Sequence, residues 1–414
     1  MEKTGNRPPL YKLQIITIFT YIISAIALDS TAETTIFSTI FLYLFLAVGA
    51  LSILLSRTLY INRYEICMLV LLLDVLVMAM VNQSSSISYQ TAYWFFTCAV
   101  ICYITCNLVY KFPDLIIYVL WAYIIGAAVL FTRIVFFYRG IANLMHIASG
   151  VGEIRIGGAI ANENSIGILM ANAFIICWLI ILKNKGQAKF EKVLMAALSV
   201  AFAVMLLLTG SKKAIAYIVI SLVGLFYYYT RKQPLLKKVL LFIVAIALLI
   251  LLSYCIRDIP IFHTINDRVR SLGDTLIGKG NASQTDQVRL NMISEGFNAF
   301  LQSPLFGNGA GYSYRLFGTY SHCNYVELLM NYGLIGFSLY YGPFIALLVY
   351  VNRQVKTGDL IAIYFMVYLV LNLILAIGIV DYYERTTQLL IAAAWGYTEK
   401  KGKHSMGVKL SEIL

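Results

Sequence analysis

About twelve apolar stretches, each near the length of a membrane-crossing helix, constrain this 414-residue chain more than any other feature. A helix needs about 20 largely apolar residues to cross the hydrocarbon core of a bilayer. Hydrophobic residues make up 60% of the chain and charged residues 13%, whereas soluble domains average roughly 45–50% and 25%. The sequence therefore predicts an all-α integral membrane protein, with residues 1–414 forming a single polytopic membrane domain. The stretches lie at 13–29, 34–55, 65–81, 91–110, 114–136, 164–182, 192–209, 212–229, 238–256, 324–350, 358–380 and 386–398.

The ends of this series affect the count. The first stretch follows a basic start and lacks a small-residue cleavage site, so it is predicted to stay as the first span. The last stretch is short, which makes eleven spans the alternative to twelve. The seven cysteines fall almost entirely inside apolar stretches, where they are expected to pack as small residues rather than to form disulfides or bind metal.

The distribution of lysine and arginine sets the predicted orientation. Short cytoplasmic loops of membrane proteins are enriched in these residues. With the N-terminus inside, twelve spans place both termini in the cytoplasm. Most lysines and arginines of the short loops then also lie on the cytoplasmic side. This basic fringe explains the net charge of +12 through contact with anionic lipid, without any nucleic acid partner. The short outer loops then hold only Arg139, Arg155, Lys212, Lys213 and Arg385.

One large external loop, at about 257–323, separates spans 9 and 10. Its stretch "SQTDQVRLNMISEGFNAFLQSP" opens with a capping pattern, and apolar residues recur at helical spacing until Pro304. An amphipathic helix on the outer surface is predicted here. The following "PLFGNGAGY" contains three alternating glycines, which favour an ordinary turn; the alternative is a set of exposed amides that hold phosphate oxygens.

Several cations on the predicted outer side contribute nothing to topology. A charge near a helix end in a membrane is costly unless an anion pairs with it, so these residues predict an anion-binding site. They are Arg155, Lys212, Lys213 and the loop arginines that include Arg289 and Arg315, with His322 where the loop ends.

Four motifs in order, "RIGGAIANENSIG", "LLTGSKKA", "RLNMISEGFNAFLQSPLFGNGAGY" and "YSHCNYVELLMNYGLIGF", resemble the O-antigen ligase and Wzy-type polymerase superfamily. The resemblance covers roughly residues 150–345. It implies a membrane glycosyltransferase of the GT-C type in the bacterial cytoplasmic membrane, with its active site facing outward. An undecaprenyl-diphosphate-linked oligosaccharide would be the donor, and no cofactor or metal is implied. Membrane lipid is the further partner, and the resemblance leaves a flippase and a chain-length regulator open as protein partners.

Residue by residue, the resemblance makes His322 and Arg289 the catalytic pair, with Arg155 as a diphosphate ligand. Lys212 and Lys213 stand where the family often has arginine after Thr-Gly-Ser. Lysine lacks the bidentate fork, so the geometry there is expected to differ, and either lysine is a candidate.

The start of the tenth span carries a polar face after His322. The helical phase places Asn324, Glu327 and Asn331 together, where they would orient the imidazole or bind sugar hydroxyls. For Glu327 the alternative is a charge favoured by the helix dipole. Arg315 is a further substrate-binding candidate.

The chemistry is consistent with these assignments. Pre-placed cations in a poorly hydrated site stabilise a leaving diphosphate, and histidine is the side chain that titrates near neutral pH unperturbed. The function predicted is a Wzy-type polymerase of a capsule or exopolysaccharide. The alternatives are an O-antigen ligase that transfers the glycan to lipid A core, and a non-enzymatic lipid-linked sugar flippase.

Overall fold

The computed structural model describes residues 10–29, 32–56, 60–81, 86–137, 142, 162–183, 189–241, 243–244 and 284–402, and these form helices joined by turns, with no strand among them. The helix α5 continues as a short π-helical turn over Arg133–Phe137. The helices are α1 (Tyr11–Leu28), α2 (Ala32–Ser56), α3 (Arg63–Val81), α4 (Ser86–Lys111), α5 (Leu115–Thr132), α6 (Glu163–Lys183), α7 (Lys189–Thr209), α8 (Lys212–Thr230), α9 (Gln284–Gln302), α10 (Tyr312–Phe317), α11 (Asn324–Thr357), α12 (Leu360–Leu375) and α13 (Arg385–Gly402).

Eight helices in the described part of the chain are long and apolar enough to cross a membrane: α1, α2, α4 to α8 and α11. The all-α membrane prediction is thereby confirmed. Helices also occupy the other predicted stretches, except that most of 238–256 lies outside the described residues. Of these further helices, α12 is apolar but shorter, and α3 carries Arg63, Glu65 and Asp74.

The chain divides into two compact units. The first contains residues 1–19, 41–119 and 282–414, and the second contains residues 20–40 and 120–281. The prediction of a single membrane domain stays a prediction. The amphipathic helix expected in the external loop is α9, whereas loop residues 257–283 lie outside the described part of the chain.

In the first unit, α4 and α13 pack closely because both present small residues to each other. A side chain added at Gly396 would lie 2.5 Å from the Cys106 carbonyl oxygen, which shows how near the two backbones approach. Cys98 and Cys102 lie on the same buried face, and their thiols donate to backbone carbonyls of Tyr383 and Gln388. Cys98, Cys102 and Cys106 are all buried here and serve as packing residues.

The long helix α11 is interrupted at Gly333, whose backbone angles (φ 63°, ψ −163°) are those that essentially only glycine adopts. The interruption frees backbone groups on both sides, and the turn after α9 binds them. Asn308 N donates to Met330 O at 2.9 Å, and Leu334 N donates to Pro304 O at 2.8 Å. The two glycine-containing motifs of the sequence thus meet backbone to backbone.

The backbone amides of the turn after α9 are themselves hydrogen-bonded to protein carbonyls. Gly307 N donates to Ser303 O, and Gly309 N donates to Asn331 O. A side chain at Gly307 would approach the backbone around Asn331 to 2.4 Å. The glycines consequently form a turn that packs on α11, which favours the first of the two interpretations of "PLFGNGAGY".

The second unit contains α6, α7 and α8 packed side by side. Gly167 permits α6 to approach the turn between α7 and α8, because an added side chain there would lie 2.8 Å from both Thr209 Oγ1 and Ala214 Cβ. A buried hydrogen bond from Tyr217 to Asn172 (2.9 Å) links α8 to α6 deeper in the bundle.

Candidate active site

His322 has a strained backbone at the entrance to α11. Its φ of 62° makes it the only non-glycine residue with positive φ among those that the structure describes. Non-glycine residues rarely adopt this conformation, which costs of order 1–3 kcal/mol and persists only where the surroundings enforce it. The neighbouring residues supply that constraint, since Cys323 N donates to Ser321 Oγ and the Ser321 hydroxyl donates to Cys323 O (3.0 Å).

The carboxylate of Glu327 anchors this strained turn from inside α11. Glu327 is 1% exposed, and its Oε2 accepts from Ser321 N at 2.7 Å. Its Oε1 accepts from the hydroxyl of Ser313 in α10 and from Asn331 Nδ2 at 3.4 Å. One buried carboxylate therefore ties the His322 turn and α10 to the same helix.

Asn324 anchors a second loop in a similar way. Its side-chain oxygen accepts from the backbone amides of Asp381 (3.1 Å) and Tyr382 (3.3 Å), and its amide donates to Tyr341. Its own backbone N donates to Ala376 O at 2.7 Å. The loop between α12 and α13 is thereby held against the first turn of α11.

The structure thus places Asn324 and Glu327 together, both fully buried with their polar atoms engaged by protein groups. This geometry corresponds to the orienting alternative of the sequence analysis. Substrate binding by either residue stays a prediction.

Tyr320 packs on His322 and lies within electrostatic range of Arg289. The rings of Tyr320 and His322 lie 4.3 Å apart, centroid to centroid. Burial raises the pKa of the Tyr320 hydroxyl and nearby Tyr314 adds to the rise, whereas the guanidinium of Arg289 on α9 lowers it. Arg289 is therefore close enough to act electrostatically on the residue that packs against His322.

Arg289 comes within range of Tyr320 because α9 packs on α11. Gly296 lies against Val326, and Ala299 and Phe300 form a small core with Met330. Other apolar residues of α9, including Phe297 and Leu301, remain exposed, so the apolar stripe is wider than the buried face.

Arg315 lies at the exposed end of α10. Its guanidinium stacks over the Tyr312 ring at 5.1 Å and donates to Asn308 O at 3.0 Å. It therefore covers the turn after α9 from the outside. Its assignment to substrate binding stays a prediction.

Two residues of the α12–α13 loop, Asp381 and Tyr383, were not singled out from the sequence. Burial, with a smaller contribution from nearby Glu384, raises the pKa of the Asp381 carboxyl to about 7. Tyr383 stacks on Trp94 and shares a hydrogen bond with the Tyr314 hydroxyl. No local motif marks these residues; a polar loop between two apolar stretches was the available signal.

The remaining predicted cations lie in the second unit or outside the described residues. Lys212 and Lys213 begin α8, half-buried, directly after the Ser211 cap, whose hydroxyl accepts from Ala214 N. Arg155 lies outside the described part of the chain. In the part that is described, no three His, Cys, Asp or Glu side chains come together as a metal site requires.

Comparison with known proteins adds one finding. Residues 197–341 match the protein-family model described as O-antigen ligase. The matched stretch runs from α7 into α11 and contains both lysines, Arg289, Arg315 and the His322 turn. The match confirms the superfamily resemblance drawn from the motifs in that part of the chain. No curated protein matches the sequence.

Proposed function

We propose that this membrane protein is a Wzy-type polysaccharide polymerase. It would transfer a growing glycan from undecaprenyl diphosphate to a lipid-linked repeat unit on the outer face of the bacterial cytoplasmic membrane. The family match over 197–341 supports a ligase- or polymerase-like enzyme acting on lipid-linked glycans. The observation that carries the proposal is the strained His322, held beside Tyr320, on which Arg289 acts electrostatically.

The reaction assigned to this cluster is a displacement at the anomeric carbon of the donor sugar. The acceptor hydroxyl forms the new C–O bond while the bond from that carbon to the diphosphate oxygen breaks. The proton of the hydroxyl passes to the His322 imidazole, and the electron pair leaves with the lipid diphosphate. A cation near the departing oxygens stabilises the charge that develops there.

Each residue has a distinct role in this proposal. His322 is the general base and Arg289 stabilises the leaving group. Glu327 and Asn324 are positioning residues, because their polar atoms hold the His322 turn and the loop that faces it. Arg155, Lys212 and Lys213 are diphosphate ligands by resemblance, and no metal takes part.

The proposed membrane topology is the one predicted from the distribution of lysine and arginine. Twelve spans of a GT-C-like fold leave both termini in the cytoplasm, and the loop at 257–323 faces outward. Lys111 at the end of α4 and Arg353 and Lys356 near the end of α11 then lie at the cytoplasmic boundary, and His322 lies at the opposite end of α11.

The test is elongation of a purified lipid-linked repeat unit by the purified protein in lipid nanodiscs. We expect ladders of products that lengthen by one repeat, and Arg289→Gln and His322→Ala should each lower the rate at least about a hundredfold. Both variants should keep the melting temperature and elution volume of the native protein. Transfer to lipid A core with no ladder would instead identify a ligase, and movement of the lipid-linked sugar without bond formation would identify a flippase. Full elongation by His322→Ala would exclude the histidine as the base.

A further inference from the structure

Arg385 has a position that helix stability does not explain. It is the first residue of α13, and its Nε donates to Thr97 Oγ1 in α4 at 3.3 Å. The helix dipole disfavours a cation at this end, and Glu384 already caps the helix by accepting from the amides of Thr386 and Thr387.

The depth of Arg385 follows from the length of α4. With Lys111 at the cytoplasmic boundary, a rise of 1.5 Å per residue places Thr97 roughly 21 Å toward the outside. The hydrocarbon core is about 30 Å thick, so in the orientation of the proposed function Arg385 would lie in the outer leaflet, about 9 Å below its surface. A charge there is expensive and marks a site for an anion by default.

The surroundings of Arg385 have an interfacial character on a lipid-accessible face. Tyr43 of α2 and Tyr93 of α4 are 50% and 42% exposed, and their hydroxyls are hydrogen-bonded at 2.7 Å. Arg385 acts electrostatically on Tyr93. The neighbouring Phe96 is 45% exposed, as expected of a surface that contacts acyl chains.

A row of aromatic residues leads from this cation to the candidate base. Tyr383, two residues before Arg385, stacks on Trp94 with a centroid distance of 5.6 Å. Its hydroxyl is hydrogen-bonded to Tyr314, which acts electrostatically on Tyr320, and the Tyr320 ring packs on His322. Rings that each carry a polar group suit a chain of sugars, because they offer both stacking surface and hydrogen bonds.

We propose that Arg385, with Thr97, Tyr43 and Tyr93, binds the diphosphate of the acceptor, the incoming lipid-linked repeat unit, and that Tyr383, Tyr314 and Tyr320 lead its glycan to His322. This inference rests on the proposed function, in which two lipid-linked substrates meet at one base. The donor diphosphate lies at Arg289, and the acceptor diphosphate enters from the lipid between α2 and α4. Asp381 and Glu384 are the carboxyl groups nearest in sequence, and the amides that Glu384 accepts offset its charge.

The test separates the acceptor from the donor by chemical synthesis. The donor is a lipid-linked repeat unit whose acceptor hydroxyl is blocked as a methyl ether. Two acceptors are compared: the unblocked repeat unit on polyprenyl diphosphate, and the same oligosaccharide as a simple glycoside without phosphate. The mass of the products identifies which acceptor was used.

Arg385→Gln should raise the KM for the lipid-linked acceptor by on the order of tenfold, because a charge-assisted contact is lost. The KM values for the glycoside acceptor and the blocked donor should stay unchanged. Arg385→Lys should give a smaller increase, and Thr97→Val, which keeps the charge, a smaller one still. Arg353→Gln, which removes an arginine stacked over Tyr350 on α11, is the matched control and should match the native protein.

Four results would overturn this inference. An equal rise in KM for both acceptors would make Arg385 a structural residue, and a rise for the blocked donor would make it a donor ligand. Inhibition by phosphatidylglycerol vesicles as effective as that by unlabelled polyprenyl diphosphate would make it a site for any anionic headgroup. If the native protein transfers the glycan to neither acceptor, the proposed function itself fails. If the native protein transfers it and all KM values are unchanged in Arg385→Gln, Arg385→Lys and Thr97→Val, only the acceptor site fails.

Discussion

Replacing Gly333 with alanine should destabilise the protein far more than the same change elsewhere on α11. A Cβ at Gly333 would lie 2.3 Å from Leu305 O and 2.4 Å from Leu305 C, and both are backbone atoms that cannot rotate away. The backbone conformation is also one that alanine avoids, at a cost of about 1–3 kcal/mol.

The steric conflict adds a second contribution. Relieving it requires the turn after α9 to move, which breaks the bonds from Leu334 N to Pro304 O and from Ile335 N to Leu305 O. Each backbone hydrogen bond contributes about 0.5–1.5 kcal/mol net. Together with the strain, the loss comes to about 2–6 kcal/mol, and we expect the melting temperature to fall by about 2–7 °C.

Gly342 on the same helix provides the matched control. An added side chain there meets nothing within 4 Å, so Gly342→Ala should be neutral or stabilising by up to about 1 kcal/mol. The assay is thermal unfolding of both variants in the same detergent, followed by tryptophan fluorescence. Equal melting temperatures for the two variants would refute the close backbone contact at the interruption of α11.

Two further predictions concern the groups that hold the candidate site. Glu327→Ala leaves the Ser321 amide without its buried acceptor, so we expect kcat to fall at least about tenfold with a smaller change in KM. Glu327→Gln keeps one acceptor oxygen, so its kcat should lie between those of Glu327→Ala and the native protein. A native kcat for Glu327→Ala would contradict the anchoring role. Burial raises the pKa of Asp381 to about 7, whereas the unfolded carboxyl titrates near 4, so its contribution to stability is complete below about pH 4 and is lost as pH rises to about 7. Between pH 4 and pH 8, the free energy of unfolding of Asp381→Asn should therefore rise relative to that of the native protein by up to about 4 kcal/mol. If the free energies of unfolding of the two proteins instead change in parallel with pH, the raised pKa of the buried acid is contradicted.

The strained His322 and its anchors illustrate how the site is assembled. Three segments converge on the first turns of α11: α10 through Ser313, the His322 turn through Ser321, and the α12–α13 loop through Asp381. A single buried carboxylate and a single buried amide organise them. This explains why "YSHCNYVELL" keeps polar residues at the threshold of an apolar helix: they hold its entrance in one conformation.

The sequence by itself determined the membrane class and the positions of most helices. Apolar runs near 20 residues long admit no other backbone in lipid, because every amide must be bonded within its own segment. The capping pattern and Pro304 likewise located α9 to within a residue or two. These are local properties, and local residues suffice to predict them.

Only the tertiary structure decided what the polar residues at the site contact. Asn324 and Glu327 share a helix face by periodicity, but whether that face binds sugar or protein depends on loops that fold over it, and burial with Ser321 and Asp381 favours the orienting role. Arg385 resembled an ordinary outer-loop cation in the sequence, whereas in the structure it donates to Thr97, near the middle of α4. The Asn324–Asp381 contact joins residues 57 positions apart and the Arg385–Thr97 contact residues 288 positions apart. No local pattern encodes such contacts, because packing of the whole unit selects them.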